Sequence, residues 1–327
     1  MANFYGSLTG FGAGVSGGAP YDLHFLVVAG GGPTNPSACG GAGAGGLRTS
    51  WAGGSGGGAS SQSQTTMIKT KVYTITVGAG GTGKTTGYDD NNFANEQGEA
   101  SSIVGLTDAS YTSITTVGGG YGTVAFQDGG DGGSGGGGDN GGSGTAGEGF
   151  DGGDSPPSSA TYPQSSGGGA AEAGEASGSS GSPGGVGGAG KQVNIDTNDY
   201  YWAGGGGAGL HGGGNAGNGG IGGGGGGSAF CNAGQGTGSG GGSAINSGGD
   251  GGCNQTGGAG GANSGGGAGG AAGAGYSGTP IGASGGSGVV ILRCATADVG
   301  TATGAETPTT DGSDTIITWL GTGTYTA

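Results

Sequence analysis

Positive charge is scarce in this sequence: six lysines and arginines stand against 21 aspartates and glutamates in 327 residues, a formal net charge of −15. Such a chain repels phosphate backbones and anionic lipid alike, which removes nucleic acid and membrane surfaces from the expected partners. Aromatic residues make up 6% and all hydrophobic residues 30%, too few to build the side-chain core that a globular chain of this length demands. Prolines number nine and no unbroken G-X-Y register is present, so collagen is excluded. No stretch reaches the roughly 20 consecutive apolar residues of a membrane span. The N-terminal MANFYGSLTGFGAG lacks the basic region and apolar run of a secretory signal. The expectation is a protein made and kept in the cytosol unless a route other than general secretion exports it. Four cysteines, Cys39, Cys231, Cys253 and Cys294, are too sparse for a disulfide scaffold and follow no zinc spacing. They read as reduced and unpaired, with a Cys231 to Cys253 link as the alternative.

Glycine is what the chain has instead: 104 residues, about a third. Glycine loses the most conformational entropy on ordering and buries no side chain, so this density marks either disorder or an ordered state that glycine alone favours. The pattern argues for order. From residue 248 the sequence runs GGDGGCNQTGGAGGANSGGGAGGAAGA, a Gly-Gly pair returning every third residue with Asp250, Cys253, Thr256, Ala259, Ala262, Ala268 and Ala271 in the third slot. Residues 129–143, 184–189 and 219–227 repeat the phase. Three residues per turn is the polyproline II repeat, which makes no internal hydrogen bonds. Its amides must then bond to neighbouring segments, and residues without Cβ let backbones approach closely enough to do so. The expected structure is a polyglycine II bundle whose third-slot residues point outward or between layers. Asn254 to Thr256 and Asn263-Ser264 are the expected reversal points.

Nearly all large aliphatics lie in short β-branched or aromatic stretches at residues 22–29, 72–77, 101–104, 111–117, 289–294 and 315–320, which read as strands. The fold class that follows is all-β plus polyproline II, mostly irregular by standard assignment, with a small β base closed by strands near both chain ends. Residues 1–20 form a short attachment segment, 21–295 the glycine-rich domain and 296–327 a C-terminal β segment.

FLVVAGGG (25–32), GGAGAGGLRT (40–49), YTITVGAGGTG (73–83), ASSIVG (100–105), the repeated GGGG blocks and GGSGVVILR (285–293) follow one another in an order that resembles the glycine-rich domain of bacteriophage tail fibre and adhesin proteins. The resemblance implies a virion protein, made in the host cytoplasm and carried on a tail or surface fibre. Its stacked polyglycine II helices would present variable loops to a host receptor, a surface glycan or outer-membrane protein. It further implies virion partners through the N-terminal segment and a homo-oligomer, a trimer or many copies on a particle.

Several patterns imitate chemistry. Residues 78–85, GAGGTGKT, match the phosphate-loop pattern and follow an expected strand. The TGYDDNNFANEQGEASS that comes next has no apolar helical period, and no hydrophobic strand downstream ends in a magnesium-binding aspartate. Asp131, Asp139 and Asp250 lie in glycine runs without nonapeptide calcium-roll spacing and read as solvated third-slot residues. His24, His211, the Glu172/Glu175 pair and the Asp89/Asp90 pair carry no flanking catalytic motif. No catalytic, metal or cofactor residue is expected, and no enzyme activity.

The aromatic residues in breaks between glycine runs carry the recognition expectation: Tyr162 in SPPSSATYPQSS, Tyr200, Tyr201 and Trp202 closing NIDTNDYYW, and Phe230 after the longest glycine block. As capping residues they would cover the bundle's ends. As receptor contacts they would supply rigid amphipathic area and gather at one end. Rival readings are a structural virion component serving as a spacer, and an extracellular or ice-binding glycine-rich filament protein.

Overall fold

The computed structural model describes residues 18–36, 40–84, 97–123, 127–155, 165–176, 178, 182–210, 214–231, 236–253, 256–272 and 281–327. Thirteen strands, in chain order, are β1 (Pro20–Val28), β2 (Leu47–Thr49), β3 (Thr65–Ile68), β4 (Val72–Thr76), β5 (Ser101–Gly105), β6 (Ile114–Thr116), β7 (Lys191–Gln192), β8 (Tyr201–Trp202), β9 (Val289–Ala295), β10 (Thr301–Thr303), β11 (Thr309–Asp311), β12 (Asp314–Trp319) and β13 (Gly323–Thr326). They form one sheet in the order β11-β12-β9-β1-β2 with β3 also on β1, a second in the order β10-β13-β4-β5-β6, and the β7-β8 hairpin.

The two richest aliphatic runs pair in one antiparallel sheet, Phe25 opposite Leu292 and Val27 opposite Val290. Alternate residues of β1 and β9 go to opposite faces. Leu23, Phe25, Val27, Val290 and Leu292 meet Tyr73, Ile75, Ile103 and Tyr325 of the second sheet in a sandwich core. Leu26, Val28, Val289 and Ile291 on the other face pack against Leu47, Val193, Ile195 and Trp202. Burial of both faces explains why HFLVV and VVIL show no polar alternation, whereas β4, with only Tyr73 and Ile75 fully inward, does alternate. The segment after residue 295 belongs to both sheets, since β12 pairs with β9 and β13 with β4.

Between these strands run short glycine rungs without helix or ladder structure. Their backbone groups pair from rung to rung: Ala42 N–H donates to Ala268 C=O at 2.8 Å, Gly206 N–H to Ala42 C=O at 2.9 Å, and Gly167 N–H to Gly206 C=O at 2.9 Å. At position 206 only glycine fits, because a Cβ there would stand 1.9 Å from the Ala268 carbonyl oxygen. The rung at residues 140–145 displays the threefold repeat directly. Gly142 and Thr145 donate inward to Gly136 and Gly132 at 2.8 and 2.9 Å. Asn140 and Ser143 donate to the carboxylates of Asp128 and Asp131 at 3.3 and 2.7 Å, and Gly141 and Gly144 to those of Asp154 and Asp151 at 2.8 and 2.7 Å. Successive amides point in three directions and return every third residue, which is the polyglycine II helix.

The expected phase holds where it can be followed. Asp250, Cys253, Ala259 and Ala262 are exposed, while Ala268 and Ala271 are buried between rungs. Of the first expected reversal, Asn254 and Gln255 lie outside the described residues, while the Gly252 amide donates to Thr256 C=O at 3.0 Å; the chain reverses through Asn263 (φ 59°) and Gly265 (φ 73°). Rungs are therefore about six residues, roughly 19 Å, long. Of the expected glycine runs, residues 212–213 and 273–275 lie outside the described residues.

One cysteine reading is corrected: Cys231 and Cys253 form a disulfide. The two residues end adjacent rungs, joined by a parallel bridge between Ala229 and Cys253 that puts their Cα atoms 5.4 Å apart. Cys294 is free and buried, and Cys39 lies outside the described residues.

Candidate functional site

The strands orient the rungs. β1, β4 and β6 lead out of the base into residues 29–36, 78–84 and 117–123, and residues 40–46, 97–100 and 281–288 lead back into β2, β5 and β9. These rungs therefore run between a base end beside the sheets and a tip end away from them. Reversals on the base side are tight and use left-handed residues: Gly147 (φ 81°), Gly222 (φ 99°), Gly223 (φ 93°), Ser243 (φ 59°) and Asn263. At the tip, Gly40 donates to Thr123 at 2.8 Å, Gly41 to Ser165 at 3.0 Å, Thr123 to Gly137 at 3.2 Å and Ser155 to Gly138 at 3.0 Å. Gly18 and Ala327 lie at the opposite pole, bonded to Lys69 and to Thr70 and Lys71.

The four described aromatic candidates do not gather in one place. Tyr200, Tyr201 and Trp202 are at the base end, in the hairpin whose tight turn has Thr197 at φ 70°. Trp202 is 0% exposed, and its Nε1 donates to Val193 C=O at 3.0 Å. Its ring meets Tyr200 edge to face at 5.7 Å. This corrects the reading of Trp202 as a receptor contact: the outer face of the larger sheet needs an apolar cover, and this ring is that cover. Tyr200 and Tyr201 are half-buried around it, and the Tyr201 amide donates to Ser243 C=O at 2.8 Å. Phe230 is half-buried at the tip beside the disulfide, close in sequence to the small cluster of Leu210, Ala216 and Ala229. Tyr162 lies outside the described residues; Ser155 and Ser165, which precede and follow that stretch, have their hydroxyls 3.2 Å apart in the tip layer.

The sequence reading missed the work of the acidic residues. Asp131 and Asp250, expected as solvated positions, accept backbone amides of outer rungs, from Ser143 at 2.7 Å and Gly240 at 2.9 Å. Asn215 and Asn218 do the same for Gly236 and Ser239 at 2.8 and 2.9 Å, and Glu175 for Val186 at 2.9 Å. An outer rung has amide rows with no neighbouring backbone, and these side chains stand in for one. The sequence signal is an acidic or amide residue recurring at i and i+3: DGGD at 128–131 and at 151–154, NAGN at 215–218.

The phosphate-loop pattern is a rung. Gly78, Ala79, Gly81, Gly83 and Lys84 donate their amides to Ser101, Glu99, Gly31, Ser284 and Thr34, so these donors are spent on the bundle. A Cβ on Gly80 would lie 2.0 Å from Gly285 O. His24 Nδ1 sits 3.2 Å from Ser50 O, and its ring meets Trp51 edge to face at 4.8 Å. The Arg293 guanidinium lies over the Trp51 ring at 4.5 Å and pairs with Asp311 and Asp314 at 2.7 and 2.9 Å. Burial works against its charge, but the Asp314 and Asp311 carboxylates outweigh that and raise its pKa. The cluster fastens β1, β9, β11 and β12 together. Burial raises the pKa of Glu148, against the Val117 amide that its carboxylate accepts at 2.7 Å and the charge of Arg48. His211, Asp89 and Asp90 lie outside the described residues. Among the described residues no group of three or more His, Cys, Asp or Glu is placed to hold a metal ion, and no helix is long and apolar enough to cross a membrane.

No curated protein and no solved structure matches the chain. A family model described as a glycine-rich domain matches residues 20–262, from the first residue of β1 to the turn before the last rungs. That span is well over half of the chain, and the chain belongs to the glycine-rich domain family.

Proposed function

We propose that the protein is a bacteriophage fibre or adhesin component that recognises a bacterial surface molecule, a glycan or an outer-membrane protein, through the tip of its bundle. The observation that carries the reading is polarity. Tight left-handed turns close the rungs against the sheets, the rung ends at Gly40, Thr123, Ser155 and Ser165 meet at the far end, and Gly18 and Ala327 lie at the opposite pole. Recognition residues are found disproportionately on loops held by a rigid scaffold, and a scaffold of interlocked backbones supplies that rigidity. The base pole is then the side for other virion proteins and for assembly of several copies. Phe230 is the described aromatic residue assigned to the receptor side and Tyr162 is a candidate from the sequence alone, whereas Tyr200 and Tyr201 flank the structural Trp202.

The test is binding of the purified protein to susceptible cells after Phe230→Ala combined with Tyr162→Ala, beside Tyr201→Ala as a base-end control. Truncating a central aromatic anchor costs about 2 kcal/mol, roughly thirtyfold in affinity. The reading requires a loss of that order for the Phe230 and Tyr162 double variant and none for the control. Equal binding by all variants would assign the bundle to a spacer.

A further inference from the structure

We propose that the Cys231–Cys253 disulfide is a reversible fastener of the bundle tip, closed by exchange with a small-molecule disulfide, and that its closure orders the two rung ends it joins. This inference is independent of what the tip binds.

Placement carries it first. The bond links the last described residues of two neighbouring rungs, 224–231 and 248–253, at the end of the molecule farthest from the sheets. One step towards the base, the rungs are held by the Ser228 hydroxyl donating to Gly252 C=O at 2.5 Å and by the Ala229 to Cys253 bridge. Rung 248–253 lies on the outside of the bundle, with Gly249, Asp250 and Cys253 exposed. Its tip is bonded to the neighbouring segments at Ser228, Gly238 and Thr256 and open to solvent on the side of Asp250 and Cys253.

Access carries it second. Cys253 is exposed and Cys231 half-buried, so small thiols and disulfides can reach the pair. Cys294 is the contrast: it is enclosed in the sandwich core, where burial pushes its thiol pKa up and withholds the reactive thiolate. The rungs place the two tip cysteines as neighbours through backbone bonds, so the reduced thiols remain within reach of each other.

The chemistry balances with oxidised glutathione as the partner. The Cys253 thiolate attacks one sulfur and expels a glutathione thiolate; the Cys231 thiolate then attacks Sγ of Cys253 and expels the second. Two protein thiols and one small disulfide become one protein disulfide and two small thiols, which take up the two protons. Excess reduced thiol reverses both steps.

The test is amide hydrogen exchange of the folded full chain, reduced and then reoxidised in glutathione buffers. Reduction should speed exchange at least tenfold at Ser228, Gly251 and Gly252, which donate to Gly270, Gly238 and Thr256. The β1 and β9 amides should be unchanged, and oxidised glutathione should restore the slow rates. The Cys231→Ser/Cys253→Ser variant should exchange like the reduced protein in either buffer. Unchanged tip exchange on reduction would overturn the proposal. So would accelerated exchange through β9, which would make the bond a condition of folding, or failure of the disulfide to re-form.

Discussion

The carboxylate of Asp131 accepts the backbone amide of Ser143 at 2.7 Å, filling a place where an interior rung would have a neighbour's carbonyl. What matters there is an acceptor oxygen of the right reach, not charge. Asp131→Asn should be close to silent, while Asp131→Ala leaves the amide to water and should cost about 1 kcal/mol, as loss of a helix cap does. Urea unfolding of the two variants separates the possibilities, and equal midpoints would contradict the capping role.

Gly260 and its neighbour Ala259 differ only in phase. A Cβ on Gly260 would stand 2.1 Å from Gly266 O and 2.5 Å from Gly286 N, whereas Ala259 already carries one towards solvent. Gly260→Val should destabilise by about 3 kcal/mol or more, at the upper end of overpacking, and Ala259→Ser should be within about 0.5 kcal/mol of the parent. Thermal unfolding compares them, and similar shifts would refute the assigned phase.

Trp202 separates fold from recognition. Trp202→Ala opens a cavity over Leu26, Val28 and Ile291 and should cost about 3–5 kcal/mol. Cell binding per folded molecule should be retained, measured at a temperature where circular dichroism shows the variant intact. A stable variant that has lost binding would return this aromatic to the recognition surface.

Glu148 makes stability depend on pH. Burial raises its pKa above the ordinary 4.5, so the native state holds the proton to higher pH than the unfolded chain does. Its contribution is fully present below the unfolded value and is lost as pH rises through the native one. Glu148→Gln keeps an acceptor for Val117 and removes that loss, so its Tm should gain on the parent between pH 4 and pH 7. Parallel Tm profiles would refute the assignment.

Much of the fold is legible in the sequence because its two signals are of different period. β-branched runs mark β1, β4, β5, β9 and β12, and the period of three marks the rungs. The hairpin was hidden: VNID places Val193 and Ile195 inward at alternate positions, a strand signal only two turns long and embedded in glycine. The Cys231–Cys253 pairing stands only as an alternative in the sequence because 22 residues separate the two, and their adjacency appears only once the rungs are stacked in register. The same holds for the acid caps, whose partners lie about 10 to 12 residues away in the case of Asp128, Asp131 and Asp250. The aromatic candidates are legible as breaks between glycine runs, but the end of the bundle each occupies is not: Phe230 sits at the tip and the run ending in Trp202 at the base.

Hydrogen exchange of the protein bound to envelopes of susceptible cells tests the central claim most directly, because it reports which end is covered. The account predicts added protection confined to tip amides such as Gly40, Gly41, Thr123, Ser155 and Gly251, with the base hairpin and both sheets unchanged. Protection centred on residues 191–202 or on the sheet faces, with the tip exchanging as in the free protein, would contradict it.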